Sequence, residues 1–517
     1  MSSVLVWRLL RALGLRAAYL GGLLFAVHPL AVESVAWISE FKNTVSLPPL
    51  LLASISYVKF DRSGARGAKA RALLWFLAAL ACKTSTVMFP AVLLLYSWWR
   101  RGRLGARDLR ATAPFFAAAL AMGLATLWFQ STRAIGIAGT PESLWARLSQ
   151  AGWSIAAYAR MCLWPAGLAP IYPSARGSLP GMEAWIGIAA VLGLFWHRRA
   201  GWGRDALLGS GWFLLNLVPV LGVVPMAYSR ISPRADHFVY LPLVGVVGLA
   251  AAAFGAAWTG WERTNGRGKI SRLPFAIAAM ALVVALAIVA RLYAPVFLNE
   301  RALWTRAVER NPKAWLARNN LGRVLLGERS PSEAADQFRE AVRIQPDSPE
   351  AHANLGNALD ALGKGDEARS EYAAALRIDP GFAGAHYNMG LSLLRAGLVD
   401  NAAAEFRAAL ASDPGHAQAR NSLGLALARS GKLPEAMEQY RLSLKLDSGL
   451  PEAHLNLGNA LFRLGSLDEA VGEYREALRL YPGYSGAHSN LAQALEGLGR
   501  EKEAEAEFEA ARRTANH

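Results

Sequence analysis

From Met1 to about residue 300 the chain alternates long apolar runs with short polar segments rich in Lys and Arg. Beyond that the pattern tightens, with apolar positions three and four residues apart and charges between them. The second pattern is that of amphipathic helices. The first is that of helices apolar all round, and each run approaches the roughly 20 residues that a helix needs to cross a hydrocarbon core. Spans are expected near 17–30, 44–60, 112–130, 182–197, 206–224, 238–258 and 273–293. Residues 72–99 form one apolar stretch with Lys83 in its middle, and residues 1–12 read as the second half of a span. The segments 61–71 (DRSGARGAKAR), 100–110 (RRGRLGARDLR), 198–205 (RRAGWGRD) and 262–272 (ERTNGRGKISR) are basic, as is the link around Arg8, Arg11 and Arg16. Such loops stay in the cytoplasm. Segments 61–71 and 100–110 share a side only if 72–99 crosses twice, as a hairpin with its tip near Lys83. Residues 150–165 carry Arg160 in mid-segment and read as an interfacial helix on the outer face. The last span then leads outward. The expectation is a multi-pass protein of an inner or plasma membrane, with about nine or ten spans counting the partial one, and with everything after residue 294 outside the cytoplasm.

Charge and composition sharpen this picture. Residues 1–300 hold 29 Lys+Arg against 10 Asp+Glu, whereas 301–517 hold 26 against 29, so the chain's net +16 belongs to the first part. Spread over loops between spans, that charge is a topology signal and not a nucleic-acid footprint, and no nucleic-acid partner is expected. Fifteen of the 17 Trp also lie in residues 1–300, where rings anchor at a membrane–water interface. Cys82 and Cys162 sit about 80 residues apart in apolar stretches and suggest neither a disulfide framework nor a metal site. The basic N-terminus has Arg8 and Arg11 inside its apolar run and no small-residue cleavage site, so it does not read as a signal peptide.

After a linker helix at 295–314, a 34-residue unit recurs six times, at 315–348, 349–382, 383–416, 417–450, 451–484 and 485–517. Its eighth position is Gly322, Gly356, Gly390, Gly424, Gly458 and finally Ala492. Twelve residues on come Ala334, Ala368, Ala402, Ala436, Ala470 and Ala504, and four further on Phe338, Tyr372, Phe406, Tyr440, Tyr474 and Phe508. Pro346, Pro380, Pro414 and Pro482 close the units, with Ser448 the exception. This is the tetratricopeptide-repeat pattern. Small residues let two antiparallel helices approach, the aromatic is expected to fill the gap between repeats, and Pro ends the second helix. Stacked units curl into a superhelix with a concave binding face. The sixth position is Asn320, Asn354, Asn388, Asn456 and Asn490, broken at Ser422, and Asn357 and Asn459 lie one helical turn on. An amide both donates and accepts, so such a ladder can hold the backbone of an extended polypeptide partner. The alternative is that Asn merely suits this turn of the helix. His352, His386, His454 and His488 recur once per unit, which favours packing over metal ligation.

On the expected topology three polar clusters face one outer side: His28, Glu33, Glu40 and Lys42; Lys83; and Arg230, Arg234, Asp236 and His237. A charge at membrane depth costs roughly 2.5–3.5 kcal/mol on insertion scales, so such residues usually have partners or a task. The alternative is a solvated interface. Cations beside carboxylates suit a phosphate leaving group and an activated hydroxyl.

The stretch HPLAVESVAWISEFKN resembles the HPxHxESVAW…ERKD segment of bacterial repeat-bearing membrane proteins similar to the animal transmembrane and tetratricopeptide-repeat O-mannosyltransferases. ACKTSTVMFP, YARMCLWPAGLAPIYP and RADHFVYLPLVG fit later family segments in order. The resemblance spans essentially the whole chain. It implies an all-α, C-type (GT-C) glycosyltransferase membrane domain followed by a tetratricopeptide solenoid. Such enzymes pass a sugar from a polyprenyl-phosphate donor, outside the cytoplasm, to a protein hydroxyl. Membrane lipid, a lipid-linked sugar and an acceptor polypeptide are then the partners, and a divalent metal is left open. The implied roles are catalytic for His28, Glu33 and Glu40, and donor-phosphate binding for Lys83, Arg230, Arg234, Asp236 and His237. The chain departs from the family at Ala31, where a second His is usual, and at Glu40-Phe41-Lys42-Asn43, where ERKD is usual. His237 also replaces an Arg. The family begins with a further span and an outer loop holding an acidic pair, so the chain is expected to be truncated at its N-terminus and inactive as it stands. The rival expectation is a non-catalytic membrane scaffold whose repeats dock a partner.

Overall fold

The computed structural model describes residues 1–36, 41–129, 143–172, 180–223, 232, 234–265 and 269–515, and all regular structure in them is helical. The chain divides into two compact units, Met1–Ala317 and Arg318–His517.

The first unit is built from α1 (Ser2–Ala12), α2 (Ala18–Val27), the short α3 (Val32–Ala36), α4 (Phe41–Ser63), α5 (Arg66–Cys82), α6 (Phe89–Arg101), α7 (Ala106–Phe129), α8 (Leu144–Leu163), α9 (Pro180–His197), α10 (Trp202–Leu217), α11 (Leu243–Asn265), α12 (Lys269–Tyr293) and α13 (Glu300–Arg310). Its core joins α1, α2, α4, α5, α6, α7, α8, α10 and α11 around Leu47, Leu50, Phe76, Phe89, Phe115, Tyr158 and Leu243. Small residues bring backbones together at two crossings. A Cβ on Gly245 of α11 would lie 2.4 Å from the Gly209 carbonyl of α10, and one on Gly22 of α2 would lie 2.9 Å from the Ser3 carbonyl of α1. Close approach of this kind is a habit of helices that pack without a hydrophobic driving force.

The apolar stretch 72–99 is two helices. Lys83 closes α5 in extended backbone, Thr84–Met88 make a 3-10 turn, and Pro90 starts α6. Arg101 at the end of α6 pairs with Asp61 at the end of α4 at 2.7 Å, and Arg100 pairs with the same carboxylate. Both basic segments therefore lie at one end of the helix pair. Among the described residues three helices are long and apolar enough to cross a membrane: Ala106–Phe129, Leu243–Thr264 and Leu273–Phe297. The broken pair Ala18–Val27 and Pro29–Ala36, bent by 57°, would make a fourth. The sequence pattern proposes more. The difference lies in α5, α6 and α10, which hold 17, 13 and 16 residues, in the short apolar helix Met182–His197, and in α4, which carries Pro48, Pro49, Lys59, Asp61 and Arg62.

From α14 (Trp315–Gly327) on, helices alternate in pairs: α15 (Pro331–Ile344), α16 (Pro349–Ala361), α17 (Gly365–Ile378), α18 (Ala383–Arg395), α19 (Val399–Ser412), α20 (Ala417–Arg429), α21 (Leu433–Leu446), α22 (Pro451–Arg463), α23 (Leu467–Leu480), α24 (Ser485–Gly497) and α25 (Glu501–Ala515). The recurrent glycine faces the recurrent ring. A Cβ on Gly322, Gly356, Gly390, Gly424 or Gly458 would come within 2.5–2.6 Å of Phe338, Tyr372, Phe406, Tyr440 or Tyr474. The ring thus sits between the two helices of its own unit and not, as the repeat pattern suggests, between units. Each pair turns through a left-handed residue, at Gly363, Gly397, Gly431, Gly465 and Gly499 with φ of 71–80°.

Candidate functional sites

In the first unit Ala235 is extended and Asp236–Val239 make a 3-10 turn, with Arg234, Asp236 and His237 buried. These three side chains find three kinds of partner. Asp236, fully buried, accepts from the Tyr172 hydroxyl at 2.5 Å and from the Tyr293 hydroxyl at 2.8 Å. Burial first, and the Glu33 carboxylate second, push its carboxyl up to about 8. His237 is held twice by Glu33, through its backbone N–H at 2.9 Å and its Nδ1 at 2.8 Å. Arg234, 5% exposed, lies against two rings, with its guanidinium carbon 3.6 Å from the Trp153 centroid and 4.9 Å from that of Tyr172. Its buried Nε has no hydrogen-bond acceptor among the described residues. Burial lowers this guanidinium to about 10, still cationic at neutral pH.

Lys83 joins the same neighbourhood. Its Nζ donates to Asn43 and lies 6.0 Å from the Phe238 ring. The structure therefore gathers Glu33, Lys83, Arg234, Asp236 and His237. His28 serves otherwise: it accepts from the Leu30 N–H at 3.2 Å and its Nε2 meets the Cys162 carbonyl at 3.0 Å, which ties the corner after α2 to α8. Glu40 and Arg230 lie outside the described residues. Both oxygens of Glu33 meet His237, one at its backbone N–H and one at its ring. A cleft of about 880 Å³, lined by Val27, His28, Val32, Val35, Arg291 and Phe297, runs beside α3. Among the described residues no group of three or more His, Cys, Asp or Glu could hold a metal ion. Sequence reasoning missed Asn43, Trp153, Tyr172 and Tyr293, because a tyrosine in an apolar stretch reads as packing until its hydroxyl is seen to meet Asp236.

In the second unit most of the Asn ladder is hydrogen-bonded within the repeats, to the fifth-position Asn319 and Asn421, to another rung or to a tyrosine. Asn354 donates to Asn319 at 2.9 Å, Asn456 to Asn421 at 3.0 Å, and Asn490 to Asn459 at 2.7 Å. Asn357 and Asn459 accept from the Tyr372 and Tyr474 hydroxyls at 2.8 and 2.9 Å. Asn320 and Asn388 are half-buried. A cavity of about 350 Å³ opens on this ladder, lined by Asn456, Asn459, Asn490, Arg429, Arg463 and Tyr440 among others. The recurrent histidines pair across each unit: His352, His386 and His454 meet Glu371, Glu405 and Glu473 at 2.6 Å, and His488 meets Glu507 at 2.5 Å.

Two family models described as tetratricopeptide repeat match the chain, one over residues 300–349, 387–451, 443–485 and 455–517 and the other over 325–392. The C-terminal region carries tetratricopeptide repeats. Among solved structures, PilF of Pseudomonas aeruginosa is 22% identical and matches 38% of this chain and 89% of its own, with a TM-score of 0.36. YrrB, titled a TPR protein with an unusual peptide-binding site, is 22% identical over 36% of this chain and 95% of its own, with a TM-score of 0.30. TTC0263 of Thermus thermophilus is 24% identical over 35% of this chain and all of its own, with a TM-score of 0.31. No curated protein matches.

Proposed function

We propose that this chain is a membrane-anchored docking protein. Residues 318–517 offer a groove to an extended segment of a partner polypeptide outside the cytoplasm, and residues 1–317 hold that groove at an inner or plasma membrane. The observation that carries the reading is the cavity in which Asn456, Asn459, Asn490 and Gln493 share one wall with Tyr440 and Tyr474. Amides that both donate and accept suit a peptide backbone of any sequence. The anchor is supported by α12, whose Leu273, Ile277, Met280, Val284, Ile288 and Leu292 are exposed, a face that water does not favour. Replacing Asn354, Asn388 and Asn456 together with Ala should weaken binding of a labelled unstructured polypeptide roughly tenfold, as loss of a few hydrogen bonds would, with little change in melting temperature. Unchanged affinity would make the ladder structural only.

A second reading, sugar transfer from a polyprenyl-phosphate donor of mannosyl type, is favoured by Arg234. A buried guanidinium against two rings, with an unused Nε and Lys83 nearby, suits a lipid phosphate, and the adjoining cleft suits an apolar tail. In that reaction a carboxylate takes the acceptor hydroxyl's proton, the hydroxyl oxygen bonds to the anomeric carbon, the sugar–phosphate bond breaks, and the phosphate leaves with the electron pair, stabilised by Lys83 with Arg230 or Arg234. The buried carboxylates Glu33 and Asp236 already hold His237 and two tyrosines, and residues 1–517 as they stand are expected to transfer no sugar. Arg234→Lys, which keeps the charge but loses the planar guanidinium, should weaken binding of a polyprenyl-phosphate hexose about tenfold. Equal binding by Arg234→Lys, Lys83→Ala and the parent would return both residues to structural duty.

A further inference from the structure

An arginine recurs at one position on three successive first helices: Arg395 of α18, Arg429 of α20 and Arg463 of α22, all exposed. Each reaches back to the residue 35 before it, on the first helix of the preceding unit. For Arg395 that residue is Asp360, met at 2.6 Å. Asp360 also accepts from the Tyr372 hydroxyl at 3.1 Å and from Ser392 Oγ at 3.0 Å. For Arg429 and Arg463 the same position is Leu394 and Ala428, whose side chains offer no acceptor. Each guanidinium there donates to the backbone carbonyl instead, at 3.3 Å. Tyr440, the counterpart of Tyr372, lines the same cavity as both arginines and lies within range of their charges. No carboxylate lines that cavity.

The trio of Tyr440, Ala428 and Arg463 thus repeats the trio of Tyr372, Asp360 and Arg395 two units later, with the carboxylate taken out and a second arginine beside the gap. We propose that an aspartate or glutamate of the bound polypeptide supplies that carboxylate, between the Arg463 guanidinium and the Tyr440 hydroxyl with Arg429 adjacent. The groove is then selective for acidic segments, although the repeat region as a whole is slightly acidic. Neighbouring first helices lie about 10 Å apart, and an extended chain rises about 3.3 Å per residue, so two carboxylates three residues apart would meet Arg429 and Arg463 together. The inference rests on the reading of this groove as a polypeptide site.

The test uses the full chain in detergent and two fluorescein-labelled, otherwise Ser/Gly/Ala peptides, one carrying two Asp three residues apart and its twin carrying Asn. The acidic peptide should bind about tenfold tighter, the scale of one charge-assisted contact, and the margin should shrink in high salt. Ala428→Asp should rebuild the internal pair and abolish the margin while leaving the Asn peptide unaffected, and Arg463→Gln should reduce it. Equal binding of the two peptides by the parent overturns the inference and leaves the groove reading standing. Binding of neither peptide overturns the groove reading and the inference with it. An unaltered preference in folded Ala428→Asp and Arg463→Gln, with circular dichroism and melting as the parent's, also overturns the assignment.

Discussion

Arg329 is the only residue other than glycine with positive φ among the described residues, at 62°. It occupies the turn position that is Gly363, Gly397, Gly431, Gly465 and Gly499 in the other units. The left-handed region costs an L side chain about 1–2 kcal/mol, partly offset by the freedom glycine adds to the unfolded chain. Arg329→Gly should therefore raise the stability of the repeats by about 0.5–1 kcal/mol, read as a higher urea midpoint by circular dichroism. No gain would mean that Arg329 makes compensating contacts. At Gly424 the opposite change applies. A side chain there would strike the Tyr440 ring at 2.6 Å, so Gly424→Val should cost about 1–3 kcal/mol or more in the same measurement. The glycine and aromatic positions were legible in the sequence because they recur every 34 residues. The turn glycines and the arginine ladder recur at the same period, and the same alignment holds them.

At the scale of helices, five of the six repeats join their first and second helix through a pair of polar side chains 19 residues apart. Units two, three, five and six use His352, His386, His454 and His488 with Glu371, Glu405, Glu473 and Glu507. The first unit uses Arg318 with Gln337, at 3.0 Å, and the fourth has Arg420 and Gln439 at the same positions. The two residue types change together, which marks the pair as one device. In the fifth unit His454 faces acceptors on both sides, Glu473 Oε2 at 2.6 Å and the Ser448 carbonyl at 3.4 Å. The hydrogen bond to Glu473 is the main cause that raises its pKa above the ordinary histidine value. Because the folded value is raised, the stabilisation is fully present below about pH 6.5 and is lost as pH rises through the folded value. The melting temperature of the repeats should accordingly fall as pH rises above about 6.5. His454→Arg with Glu473→Gln, which copies the fourth unit, should flatten that fall, and an unchanged pH profile would assign the fall elsewhere.

For the whole molecule, the arrangement of charge is the testable matter. Arg100, Arg101, Asp61 and Asp108 gather at one end of α4, α6 and α7, which suits two basic segments kept on one side of a membrane. The repeats are expected on the other side. Protease added to intact spheroplasts should then remove residues 318–517 while a cytoplasmic marker survives. Repeats that persist until the membrane is breached would reverse the topology.

In the repeat region the 34-residue period was legible: the units, their two helices and the recurring Gly, Ala and aromatic positions all follow from spacing along the chain. The partners were not, since the ring meets the glycine of its own unit, the histidines meet glutamates and most of the Asn ladder is already hydrogen-bonded. The sequence also showed that the first unit is helical and apolar, and that 72–99 folds back near Lys83, because the basic segments 61–71 and 100–110 share a side only if it does. Only the tertiary structure decided what the polar residues of the first unit do. Glu33 meets His237 across 204 residues, and Asp236 meets Tyr172 and Tyr293 across 64 and 57. No periodicity links such positions, and a buried carboxylate can serve as a base, bind a cation or hold a neighbour in place. Which of these it does is set by the lone pairs its neighbours leave open, and that depends on packing between distant segments, which spacing along the chain does not encode.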